Sequence, residues 1–205
     1  MVKLSAIQLS SAANVETNLA KIAELLSKIT AAQDDTQHLV VLPECCLYFG
    51  SKDSEQLDLA KTTAAGNDLR LALGELAKKF GVYLVAGTIP LLASSATKFT
   101  NSSCVFNPDG ELIGQYDKIH LFDVNVSDST KSYCESRFTQ AGKEISVVNT
   151  NFANIGLSVC FDLRFPNLFQ QLSIAGADII TVPSAFTKVT GKAHWQTLLQ
   201  ARAIE

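Results

Sequence analysis

"NIGLSVCFDLRFPNLF", residues 154–169, runs a small apolar alternation into Cys160 and then directly into an acid, an arginine and Phe-Pro. The alternation predicts a strand. Pro166 predicts the first position of a helix, where a missing backbone N–H loses no hydrogen bond. A strand that stops on a thiol and turns at once into a helix is one unit of an α/β protein, and the same unit recurs along the chain.

"KLSAIQL" (3–9) alternates like a strand, and "NVETNLAKIAELLSKI" (14–29) places Leu19, Ile22, Leu25, Leu26 and Ile29 at helical spacing behind Asn14, a helix N-cap. "HLVVLPE" (38–44) is a short apolar run of the kind buried on both faces. A polar stretch (48–67) precedes the helix "DLRLALGELAKKFG" (68–81), which Gly81 closes, and "VYLVAGTIP" (82–90) is again a strand. Asn107-Pro108-Asp109-Gly110 joins two strands as a hairpin turn. An irregular run (124–138) leads to the opening segment, the strand "DIITVPS" (178–184) and the helix "HWQTLLQARAIE" (194–205). Helices interleaved with buried strands, plus one hairpin, imply a mixed sheet covered by helices, in one domain over residues 1–205.

The 205 residues carry 47% hydrophobic and 18% charged side chains and a net charge of -3, with no run of Lys or Arg. That balance excludes disorder and leaves no electrostatic footprint for nucleic acid or an acidic membrane, so a small molecule is the expected partner. No 18 apolar residues run together, and "MVKLSAIQLS" lacks the apolar core of a signal peptide. Five cysteines, an odd and unevenly spaced set, suit free thiols in the cytoplasm better than a disulfide framework. Neither C-x-x-C nor H-x-x-x-H occurs, which argues against a metal site.

Ligands of open α/β sheets bind beyond the carboxyl ends of the strands. Glu44, Lys118 and Cys160 all have that address. A carboxylate can take a thiol proton, and an ammonium can stabilise the charge on a tetrahedral intermediate, so the three together suit acyl transfer. A rival reading pairs Cys160 with His120 or His194, as in cysteine proteases. Cys45 and Cys46 follow the acid without a cation or helix start, and packing is the role expected of them.

"VVLPE" (40–44), "YDKIHLFDV" (116–124) and "GLSVCFDLRFPNLF" (156–169), in that order, resemble the three motifs of the nitrilase, or carbon-nitrogen hydrolase, superfamily. The resemblance implies a four-layer αββα sandwich and a triad of Glu44, Lys118 and Cys160. Within the superfamily, "PSAFTKVTGKAHWQTLLQARAIE" (183–205) and "CES" (134–136) are most similar to the branch of deaminated glutathione amidase and omega-amidase, leaning to the former. It further implies Glu135 as a second carboxylate positioning the lysine, the Phe161 backbone N–H as an oxyanion donor, and Arg164 and Thr190 at a keto-acid carboxylate. Arg164 has a bland alternative, an ion pair with Asp162. No metal or organic cofactor is implied, and a homodimer is. Family members continue past "ARAIE", so a further C-terminal part is expected. If its absence loosens the site, the chain would instead be a binding or regulatory protein.

Overall fold

The computed structural model describes residues 2–31, 36–52, 54–125 and 132–205. It opens with a strand–helix–strand unit: β1 (Val2–Ala6), α1 (Val15–Ile29) and β2 (Gln37–Val41), the two strands parallel. Asn14 caps α1, its side chain accepting from the Thr17 N–H at 2.7 Å. Then come α2 (Ser54–Thr62), α3 (Asn67–Phe80), β3 (Tyr83–Val85), β4 (Ile89–Leu92), β5 (Phe99–Phe106) and β6 (Leu112–Asp117). β5 pairs with β4 through residues 99–102, with β3 through 105–106 and with β6 through 102–106, completing a six-stranded sheet. After a short β7 (Asp123–Asn125) and β8 (Ser132–Cys134) hairpin, β9 (Val147–Asn149), β10 (Asn154–Leu157) and β11 (Ile179–Thr181) form a second sheet in the order β11-β10-β9. α4 (Pro166–Ile174) and α5 (Lys188–Ile204) flank it.

Side chains alternate across each strand, so successive residues feed different cores. Val40, Leu84 and Cys104 pack with Ile22, Leu26, Leu69 and Leu73 of α1 and α3. Their neighbours Leu39, Val85 and Val105 meet Ile155, Leu157 and Val159 from the other sheet. Leu168, Phe169 and Leu172 of α4 pack with Ile180, Trp195 and Leu199 on the far side. Three cores stacked in this way make four layers, α, β, β, α.

Several elements differ from the sequence reading. The polar stretch contains α2, whose Leu57 and Ala60 are buried against Phe99. Two anchors suffice for a nine-residue helix, but they are too sparse for a periodic signal. "VYLVAGTIP" is interrupted between β3 and β4 at Gly87, where φ is +49° and an added Cβ would sit 1.8 Å from the Pro43 carbonyl oxygen. α5 begins at Lys188 rather than His194, because the Thr187 side chain caps it by accepting from the Thr190 N–H and carries the helix through Gly191. Part of the run read as irregular is the β7–β8 hairpin, and residues 126–131 of that run lie outside the described set.

The thiols of Cys46 and Cys104, buried in the α1/α3 core, are pushed up to about 12 by burial. In the unfolded chain a thiol titrates near ~8.5. Since the folded value is the higher, their contribution to stability is complete below pH ~8.5 and is lost as pH rises toward the folded value. Guanidinium unfolding at pH 7 and pH 10 should differ by about 2 kcal/mol for each such thiol. Cys104→Ala should remove one share of that difference, and an unchanged difference would contradict the assignment.

Candidate active site

The ends of β2, β6 and β10 lie together. Pro43 carries the chain off β2 to Glu44, and the loop is held by the Cys45 N–H, which donates to Thr88 Oγ1 at 2.8 Å. The close approach of Gly87 to Pro43 is what lets that loop lie against the β3–β4 break. Lys118 follows β6 directly, its N–H donating to the Asn101 carbonyl at 3.0 Å. Cys160 follows β10 with φ +48°, a left-handed conformation that costs a non-glycine residue roughly 1 kcal/mol. Its N–H donates to the Pro183 carbonyl at 2.9 Å, which ties the bend to the end of β11.

Lys118 is 2% exposed and sits between two carboxylates. Nζ donates to Glu44 Oε1 at 2.9 Å and to Glu135 Oε2 and Oε1 at 2.9 and 3.2 Å. Asn101 Nδ2 lies at hydrogen-bond distance from the same pair, 3.1 Å from Glu44 Oε1 and 3.2 Å from Glu135 Oε1. Backbone donors complete the arrangement: Ala185 N–H to Glu44 Oε2 at 2.9 Å and Phe122 N–H to Glu135 Oε2 at 2.7 Å. Burial pushes the Lys118 ammonium toward losing its proton, but the charges of Glu44 and Glu135 outweigh it and hold the group well above the usual lysine range. The Cys160 thiol, which lines the same cavity as Glu44, goes well up as well, through burial first and the Glu44 charge second, with Lys118 opposing. At neutral pH the resting site therefore holds a protonated thiol beside an ammonium. Making a thiolate there requires a base beside the sulfur, and Glu44 lines the same cavity as Cys160.

These groups form the foot of a cavity of about 590 Å³ whose walls include Phe99, Phe122, Phe161 and Phe186. Phe161 is the first residue after Cys160, in the opening turn of the 3-10 helix Cys160–Arg164, where backbone N–H groups have no partner within the helix. Thr190 lines the cavity. Arg164 does not: its guanidinium lies 5.9 Å from the Phe161 ring centre and 5.6 Å from that of Phe186, and donates to His194 Nδ1 at 3.2 and 3.3 Å. Nor does Arg164 pair with Asp162, whose carboxylate is turned inward. The two histidines of the rival reading are engaged elsewhere, His120 Nδ1 on Asp162 at 2.7 Å and His194 on Arg164. Cys46 is a packing residue, donating from Sγ to the Ala86 carbonyl at 3.3 Å, whereas Cys45 lines the cavity.

Asn101 and the Ala185 N–H went unnoticed in the sequence. Asn101 left a signal there: "TNSSC" (100–104) puts four polar residues in a row in a strand that is buried throughout, an expensive choice unless each finds a partner. Ala185 left none, since any residue but proline supplies an N–H.

Comparison with known proteins fits this geometry. The family model described as carbon-nitrogen hydrolase matches residues 3–205. The chain belongs to the carbon-nitrogen hydrolase family. It is a hydrolase of amide carbon–nitrogen bonds, as the amidase names of its relatives also indicate. It is 40% identical over 200 residues to a deaminated glutathione amidase of Yersinia enterocolitica, covering 97% of this chain and 68% of the relative. To omega-amidase NIT3 of Saccharomyces cerevisiae it is 35% identical over 207 residues, covering 100% of this chain and 70% of the relative. The crystal structure of Saccharomyces cerevisiae Nit3, described as a member of branch 10 of the nitrilase superfamily, superposes with a TM-score of 0.83 at 32% identity, over 98% of this chain and 71% of that one.

For this hydrolase the ammonium is a structural charge as well as a candidate catalytic one. Lys118→Met leaves Glu44 and Glu135 facing each other, which should cost about 3–5 kcal/mol at pH 7. Their mutual repulsion favours taking up a proton between them, so the deficit against the parent protein should shrink as pH falls from 7 toward ~4.3, where carboxyls of the unfolded chain titrate. Urea unfolding of both proteins at pH 7 and pH 4 measures the gap, and a gap that is the same at both values would refute the charge argument.

Proposed function

We propose that the protein is a cysteine-dependent amidase that hydrolyses deaminated glutathione to 2-oxoglutarate and cysteinylglycine. The observation carrying the reading is that the Cys160 thiol, the Glu44 carboxylate and the buried Lys118 ammonium, which donates to Glu44 at 2.9 Å, line one cavity. Glu44 accepts the thiol proton as sulfur attacks the amide carbonyl carbon, and the carbonyl electron pair moves to oxygen. The Lys118 ammonium and the Phe161 N–H stabilise that oxyanion. Glu44 returns its proton to the amide nitrogen, the C–N bond breaks, and cysteinylglycine leaves a thioester on Cys160. A water that gives its proton to Glu44 attacks the thioester, freeing 2-oxoglutarate and restoring the thiol. No step calls for a metal or an organic cofactor.

Glu135 and Asn101 hold Glu44 and Lys118 in register. Thr190 in the cavity wall and Arg164 beside it receive the keto-acid carboxylate, Arg164 exchanging its neutral acceptor His194 for an anionic one that a guanidinium can grip with two hydrogen bonds. Relatives named deaminated glutathione amidase at 40% and 42% identity support this substrate over 2-oxoglutaramate, the omega-amidase substrate, for which the named relative is 35% identical. Omega-amidase is the second reading, and the resemblance to Nit3 favours it. We place the enzyme in the cytoplasm as a homodimer. Free thiols support that location, and no described helix is long and apolar enough to cross a membrane.

The assay incubates the protein with both substrates and follows cysteinylglycine against ammonia. Higher kcat/KM on deaminated glutathione is expected, and equal or higher efficiency on 2-oxoglutaramate would reverse the substrate assignment. Cys160→Ala should abolish turnover of both. Mass spectrometry after brief exposure to a substrate-like alkylating amide should find Cys160 modified before Cys45, Cys46, Cys104 and Cys134. Equal, slow labelling of all five would favour a protein that binds without catalysing.

A further inference from the structure

Asp162 is fully buried and does not line the cavity, yet its carboxylate collects four donors. Oδ2 accepts from the Val159 N–H at 2.8 Å and from the Tyr116 hydroxyl at 2.8 Å. Oδ1 accepts from the His120 N–H at 3.1 Å and from His120 Nδ1 at 2.7 Å. Val159 immediately precedes the nucleophile. Tyr116 and His120 stand two residues before and two residues after Lys118. The Tyr116 oxygen in turn accepts from the Ile119 N–H at 3.2 Å.

An acid at this position of a short helical turn has an ordinary local use, accepting the N–H of the residue that opens the turn. That accounts for the Val159 bond. It does not account for the other three donors, which come from the segment carrying the ammonium, some forty residues distant. We propose that Asp162 is a positioning residue for amide hydrolysis: it ties the backbone around Lys118 to the strained backbone around Cys160 and so sets the spacing of ammonium and sulfur. This rests on the roles given above to those two residues.

The chemistry of the donors suits a permanent tie. A carboxylate only accepts, so His120 must carry its proton on Nδ1. The Tyr116 hydroxyl is held well up by burial and then by the Asp162 charge, so it stays a donor throughout the working range. The His120 ring stacks on Phe165 at 3.7 Å, and Phe165 meets Phe161 edge to face at 5.4 Å. The same tie thus steadies the residue whose N–H faces the developing oxyanion. Cys160 could not keep φ +48° on local preference alone. Its turn is held from the β11 side through Pro183 and from the lysine side through Asp162.

Asp162→Asn tests the tie. An amide presents one acceptor and one donor, so whichever way it turns, one backbone N–H, that of Val159 or that of His120, is left facing its amino group. Relative to the parent, kcat per alkylatable Cys160 should fall ~10- to 100-fold with KM within about twofold, as expected when reacting groups drift apart while the binding walls stay in place. Tyr116→Phe cuts only the lysine side and should lower kcat in the same sense. Combined with Asp162→Asn it should lower it by less than the product of the two effects, because both changes break one link. Parental kcat in Asp162→Asn, a loss explained wholly by fewer alkylatable molecules, or a change confined to KM would overturn the proposal. If Asp162→Asn does not fold, Tyr116→Phe decides on the same criteria. Cys160→Ala is run alongside: its inactivity with full activity in Asp162→Asn sinks only the tie, whereas turnover by Cys160→Ala sinks the underlying mechanism.

Discussion

One ammonium buried between two carboxylates is the constraint around which the structure is arranged. Taking an ion out of water costs several kcal/mol even after the protein relaxes, and the loss is recovered only where geometry and hydrogen bonds are both good. Here the members of the cluster come from four separate places: Glu44 beyond β2, Asn101 within β5, Lys118 beyond β6 and Glu135 beyond β8. The order of the six-stranded sheet makes this convergence practicable. It sets β5 beside β6, so Asn101 and Lys118 are neighbours, and connects β2 to them through β3.

The charge arrangement also says what kind of nucleophile the proposed mechanism makes of Cys160. A thiol beside an imidazole can rest as a thiolate–imidazolium pair, ready to attack. Cys160 instead faces a carboxylate and is buried, and both influences keep its proton on. The nearby ammonium lowers the cost of ionisation but is shared with Glu44 and Glu135, so it cannot cancel that cost. In the proposed mechanism proton transfer and attack therefore belong to one event, triggered when a carbonyl carbon stands at the sulfur. On that proposal such a thiol is quiet toward adventitious electrophiles and reactive toward an amide seated in the cavity. The exposed Cys134 is far from comparable, having neither the base nor the walls.

Local chemistry was legible in the sequence, and long-range convergence was not. Asn14, Gly81 and the Asn-Pro-Asp-Gly turn act through residues a few positions away, and each does in the structure what its type predicts. Glu44, Lys118 and Cys160 were marked by position at strand ends, a rule that concerns the sheet rather than the contact. That the ammonium would be shared by two carboxylates, both also held by the Asn101 amide, depended on strand pairing that no local pattern encodes. Arg164 shows the limit from the other side. The family resemblance implies a place for it at a substrate carboxylate, but no local pattern shows that the 3-10 turn aims it past Phe161 to His194. α2 was missed because a helix anchored by Leu57 and Ala60 alone carries almost no periodic signal.

The site lies across the interface of the two sheets. Glu44, Asn101, Lys118 and Glu135 belong to the first sheet and its connections, Cys160 and Ala185 to the second. What sets the gap between the halves is the central core, where Leu39, Val85 and Val105 meet Ile155, Leu157 and Val159, together with a few polar ties that cross it. Interiors pack too densely for such a gap to drift gradually, so the spacing is held about as firmly as the side chains that fill it. The polar ties add direction to that spacing: Ala185 to Glu44 on one flank of the sulfur, Asp162 to Tyr116 and His120 on the other. A sandwich suits this chemistry because its two faces separate the work. The outer helices close each sheet against water, and the inner faces, aligned end to end, bring the thiol from one sheet to the base and the ammonium of the other.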